Sequence, residues 1–153
     1  MAHEDVAQQT LLEHALLKHV TEALRVSAGW SAEGDDLSRN LSTLRFIAGS
    51  FQRHLERLMA LEEHDGYMDV VVSASPRLAK TVDALREEHG QFRSAVRRIT
   101  QRLEQVAATD HAAFAGARDE LLGFLDRVDR HGDKESKLIH EALARDAEGG
   151  EGG

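Results

Sequence analysis

The sequence predicts an all-α protein, an up-down-up-down antiparallel four-helix bundle. One proline and few aromatics stand against abundant Ala, Leu, Glu and Arg, a composition of helix formers. Apolar residues recur at three- and four-residue spacing along four long stretches. Short connections join the stretches, which sets successive helices side by side and antiparallel. An extended coiled coil would need sustained heptads, and the pattern has none.

The first predicted helix runs from about Glu4 to Ala28 and ends at Gly29, in the usual C-terminal role of glycine. Residues 29–36 read as a loop, with Asp35 or Asp36 placed to cap the next helix. The second helix starts near Leu37 and carries Leu44, Ile47, Phe51, Leu55 and Leu58 on one stripe. It either stops at Gly66 or passes through it to about Ser73, since a mid-helix glycine costs only about 1 kcal/mol relative to alanine. Ser75-Pro76 reads as an N-cap followed by proline at the first helical position. The third helix then runs to about Ala107, with Leu78, Val82, Leu85, Phe92, Val96, Ile99 and Leu103 on its stripe. Thr109-Asp110 caps the fourth, which carries Leu121, Phe124, Val128, Leu138, Ile139 and Ala142 to about Asp146. Residues 1–147 form one bundle domain in this reading, and 148–153 a flexible Gly/Glu tail.

Bulk properties narrow the chemistry. A chain of 153 residues can bury a sizeable core. Its net charge of -8 offers no basic stripe for a nucleic-acid backbone or an anionic membrane surface. Cysteine is absent, which excludes disulfides, thiolate metal sites, iron–sulfur clusters and thiol catalysis. No apolar run reaches the length of a membrane span, and the acidic N-terminus does not resemble a signal peptide, so a cytoplasmic setting is expected. No Ser/His/Asp arrangement, phosphate-binding loop, His-Glu-x-x-His motif or Glu-x-x-His pair is present.

Nine histidines are many for such a chain, and histidine is a common metal ligand. His131 and Glu135 form the only His-x-x-x-Glu or His-x-x-x-Asp pair. On a helix that spacing sets an imidazole and a carboxylate on one face, one turn apart. On a helical wheel Glu62 falls in one arc with Phe51 and Leu58, aimed at the core, where an isolated carboxylate is costly. His89 lies between Leu85 and Phe92 on the third stripe. The first helix is apolar nearly all round between Leu11 and Leu17, so His14 and His19 are both eligible to point inward.

Height along the bundle is a separate test. Measured from the end where the first and third helices begin, His14 lies roughly 15 Å in and His89 roughly 20 Å, and Glu62 roughly 18 Å if the second helix runs on to about Ser73. His131 and Glu135 lie roughly 22 and 16 Å in. Five candidate ligands on four helices thus share one slab. His54 sits roughly 12 Å above Glu62 and reads as a bundle-edge histidine. His19, His64, His111 and His140 otherwise read as solvated or half-buried.

These residues resemble the hemerythrin-like, or HHE cation-binding, family over nearly the whole chain. Glu13-His14 looks like the family's first ligand position, and the segment from Leu58 through Glu62-Glu63 to Tyr67 looks like its His-Phe-x-x-Glu-Glu-x-Gly-Gly-Tyr segment. Glu88-His89 looks like its third-helix histidine, and His131-x-x-x-Glu135 with the following Leu138-Ile-His-Glu like its C-terminal helix. The resemblance implies two irons held between four helices and bridged by two carboxylates and an oxygen species. Carried over, Glu62 and Glu135 would bridge, His89 and His131 would serve one iron, and His14 the other. Two positions depart from the family. Leu58 stands at the second-helix histidine, and Arg93 at the second histidine of a third-helix His-x-x-x-His found in many members. Each iron would lose one nitrogen ligand, which counts against oxygen carriage. A bend of the second helix at Gly66 would let Tyr67 or Glu63 approach instead.

The reading is a non-haem iron protein with two ions, or one if the site is degenerate. It would bind or sense dioxygen or another small diatomic, redox state or iron. Two alternatives remain: a di-iron enzyme acting on peroxide or nitric oxide, and a metal-free bundle serving as an interaction or structural module. In that bundle His89, His131 or Arg93 would satisfy Glu62 and Glu135.

Overall fold

The computed structural model describes residues 2–29 and 37–150, with side chains for 4–29 and 37–142. Helices α1 (Ala2–Gly29), α2 (Ser38–Glu63), α3 (Tyr67–Ala74), α4 (Ala79–Gln105) and α5 (His111–Gly150) follow in order, with a 3₁₀ turn at Pro76–Leu78 before α4. The described residues include no strand. α1 packs against α2 and α5, and α4 packs against the same two, so α1 and α4 face each other across the bundle diagonal. This is the antiparallel four-helix bundle that the periodicity predicts. The predicted second helix is two pieces, α2 and α3. The expected caps Asp35 and Asp36 lie outside the described residues.

Side chains hold two of the helix ends. Asp110 Oδ1 accepts from the Ala113 backbone N–H at 3.0 Å, capping α5 as its sequence suggests. The C-terminus of α4 is held from another helix: Arg45 on α2 donates to the Leu103 and Val106 carbonyls at 2.8 Å each, satisfying acceptors that a helix end leaves free. Ser75, by contrast, makes no side-chain cap bond, and Pro76 opens the 3₁₀ turn rather than α4 itself. α5 continues to Gly150, past the end expected near Asp146. Residues 148–150 hold no proline to stop it.

The break between α2 and α3 matters most for function. His64 leaves the helix with extended backbone, Asp65 takes φ 56, and the Asp65 N–H bonds to the Asp69 carboxylate at 3.1 Å. A Cβ at Gly66 would lie 2.1 Å from the Leu61 carbonyl oxygen and 2.5 Å from that of Glu62. Only glycine lets the chain pass this close to the end of α2.

Among the described residues, the buried apolar side chains fall into two clusters. The larger includes Leu17, Leu58, Phe92 and Val128. The smaller includes Tyr67, Leu85, Leu138 and Ile139. On each long helix the candidate ligands sit between the two: Glu62 between Leu58 and Tyr67, His89 between Leu85 and Phe92, His131 and Glu135 between Val128 and Leu138. The core is therefore divided by a polar layer. Phe92 closes one side of it, its ring edge-on to His131 at 5.0 Å and to Phe124 at 5.7 Å.

Candidate metal centre

The five sequence-predicted residues meet in that layer. Glu62, His89, His131 and Glu135 are only 1–4% exposed, and His14 is half-buried on α1. His14 Nε2 lies 3.2 Å from Glu62 Oε1 and 3.4 Å from Glu135 Oε1. His131 Nε2 lies 3.1 Å from Glu135 Oε1. His89 Nε2 stands 3.8 Å from both Glu62 Oε2 and Glu135 Oε2. The α1 ambiguity resolves in favour of His14, since His19 is exposed; His54, His64, His111 and His140 are exposed as well.

Hydrogen bonds on the outer side fix the two inner rings. His89 Nδ1 is 2.8 Å from Glu63 Oε1, and Arg93 holds the other Glu63 oxygen at 2.7 Å. His131 Nδ1 is 2.5 Å from Glu88 Oε2, and Lys134 holds Glu88 Oε1 at 2.9 Å. A carboxylate only accepts, so in both rings Nδ1 carries the hydrogen and Nε2 keeps its lone pair. Both lone pairs then point at the carboxylates of Glu62 and Glu135. Burial first, and then the charge of His131, hold His89 at about 4, and burial lowers His131 too despite Glu88. Neutral imidazole is the form that binds metal.

Acceptors thus face acceptors. His89 Nε2, His131 Nε2 and Glu62 Oε2 are buried and have no hydrogen-bond partner, although a carboxylate lies close to each ring nitrogen. Burial raises the Glu62 carboxyl above its ordinary range, only partly offset by the His14 hydrogen bond. An uncompensated buried charge costs several kcal/mol. A cation at the centre removes the conflict, and mixed imidazole and carboxylate donors suit iron, zinc or manganese. Among the described residues, two sets of three bring ligand atoms within 4.8 Å of one another: His89, His131 and Glu135, and His14, Glu62 and Glu135. Glu135 belongs to both. Glu62, which the resemblance would also make a bridge, belongs to the second group alone.

The two departing positions take other roles. Leu58 is buried beside the site and lines a cavity of about 390 Å³ that also borders His14, Glu62 and His131. Arg93 does not reach the buried carboxylates as the metal-free alternative supposed; it anchors Glu63. Glu63 stays outside the ligand positions, against His89 Nδ1. Tyr67, turned inward by the Gly66 break, donates its hydroxyl to Glu135 Oε2. Burial and the adjacent Glu62 carboxylate push its phenol well above the usual range, so it remains a donor. Nothing in the sequence assigns a role to Glu88 or Lys134. Their only signal is adjacency, Glu88 beside His89 and Lys134 beside Glu135.

No curated protein and no solved structure matches the chain significantly. The family described as hemerythrin HHE cation-binding domain matches residues 6–143, a span that takes in the five converging side chains and both outer carboxylates. The chain belongs to the hemerythrin HHE cation-binding domain family.

Proposed function

We propose that this protein binds iron between its helices, with Glu62 and Glu135 bridging two ions, His89 and His131 on one and His14 on the other. One observation carries the reading: the lone pairs of His89 and His131 converge with the Glu62 and Glu135 carboxylates in a buried layer, where both ring nitrogens and Glu62 Oε2 have no hydrogen-bond partner. Bound iron would supply a change of redox state and an open coordination position. The chain supplies the rest. Glu63 and Glu88 orient the rings, Tyr67 orients Glu135, and Leu58 and Phe92 keep the surroundings apolar.

Leu58 contributes no nitrogen, so the position beside His14 is open, and the adjoining cavity has room for dioxygen or another small diatomic. Sensing or binding of such a ligand, of redox state or of iron follows, in a cytoplasmic setting. A closed network of hydrogen bonds, the metal-free alternative, is disfavoured by the unpaired inner atoms.

Metal analysis after expression with iron, with no chelator used, tests the reading. One to two irons per chain are expected, with visible absorption developing in air and lost in Glu135→Ala. Protein that retains no transition metal would end it.

A further inference from the structure

The two candidate seats are built unequally. In the first, both imidazoles have their outer nitrogens tied to glutamates, and each glutamate is tied in turn to a cationic side chain: His89 to Glu63 to Arg93, and His131 to Glu88 to Lys134. In the second, the only imidazole is His14, and its Nδ1 is buried without a partner. An anionic partner behind a ligating imidazole makes its inner nitrogen a stronger donor and holds the ring in place. His14 has neither aid. It is also the more exposed ring, with 13% of its side chain open against 1% for His89 and 5% for His131.

We propose that Glu63 and Glu88 are positioning residues that make the His89/His131/Glu135 group the first and tighter cation seat. The His14/Glu62/Glu135 group is then a second, exchangeable seat. This rests on the metal-binding reading above and adds an order of loading to it. A chain at limiting metal carries one ion, and the second arrives only as free metal rises. The occupancy of the second seat then reports metal supply.

Titration of the metal-free protein with Co²⁺, followed by its visible d–d bands, tests this. The wild type should show two steps separated by about tenfold or more. Glu63→Gln and Glu88→Gln, which keep a hydrogen-bond acceptor and remove the charge, should each weaken the first step by about tenfold and shift its band. Arg93→Gln should act in the same direction through Glu63, and more weakly. His14→Ala should erase the second step and leave the first. Thermal midpoints of the metal-free variants separate these effects from loss of fold. Two equal steps in the wild type would overturn the inference, as would an unmoved first step in both glutamine variants or loss of the first step in His14→Ala. Wild-type protein that binds no Co²⁺ would instead remove the metal reading itself, and the inference with it.

Discussion

The Tyr67 hydroxyl donates to Oε2 of Glu135, joining residues 68 apart in sequence. Tyr67 is the first residue of α3, so the bond ties the chain just past the Gly66 break to the His131–Glu135 turn of α5. Glu135 is the carboxylate shared by both candidate ligand groups. A donor on one of its oxygens fixes how the other is presented.

Tyr67→Phe should cost the metal-free protein about 1–3 kcal/mol, because a buried carboxylate loses a donor while the ring is retained. A bound cation compensates Glu135, so the loss should shrink in metal-loaded protein. Urea unfolding with and without metal measures both. Equal losses in the two forms would mean that the phenol supports packing alone.

Gly66→Ala should destabilise the fold by about 1–3 kcal/mol, as overpacking does, since the new Cβ meets backbone oxygens of Leu61 and Glu62 that cannot rotate away. Metal affinity should fall with it, because the same break aims Tyr67 and borders Glu63. Gly123→Ala provides the contrast. Its Cβ would meet nothing within 4 Å, and in mid-helix it should stabilise by roughly 0.5–1 kcal/mol. Thermal melts of the two variants should move in opposite directions. A rise in both would show that the break is not held by close contact.

The sequence exposes what helical periodicity controls. Glu62, His89, His131 and Glu135 occupy apolar arcs, and a fixed rise per residue places them at one level, so their meeting follows from arithmetic. His14 is harder to read because α1 also carries Leu12 and Leu16 on its exposed side, and its pattern does not favour one face. Tyr67 and Glu63 depend on the backbone angles of residues 64–66, including a left-handed Asp65, which no repeat encodes. Glu88 differs from other surface glutamates only in folding back onto His131, a choice made by the neighbouring helix.

Away from the site, Glu120 on α5 joins Arg102 at 2.6 Å and Arg98 at 2.9 Å on α4. The Arg102 hydrogen bond, helped by Arg98, outweighs burial and holds the Glu120 carboxyl below its ordinary 4.5. The unfolded chain therefore binds the proton first as pH drops. The contribution of the bridge is complete above 4.5 and is lost as pH falls through the lower folded value. Both arginines are substantially exposed, so the effect is at most about 1 kcal/mol and should weaken in high salt. Glu120→Gln should melt slightly below wild type at neutral pH and match it in acid. A gap that persists in acid would trace the effect to packing and not to charge.

Leu58→His gives the sharpest test of how the cavity relates to the proposed second cation seat. Leu58 precedes Glu62 by one helical turn, is 5% exposed and lines the cavity that borders His14 and Glu62. An imidazole there would add the nitrogen that this seat lacks. Without metal the substitution should cost about 1–3 kcal/mol, since a polar ring replaces a buried leucine without an assured partner. With Fe²⁺ or Co²⁺ the ring becomes a ligand, so the variant should recover stability and bind its second ion more tightly than wild type. Leu44→His, fully buried at the far end of the larger cluster, should lose stability under both conditions. Melting curves with and without metal, paired with metal counts per chain, distinguish the outcomes. Rescue of neither variant, or of both alike, would place Leu58 out of reach of the second ion.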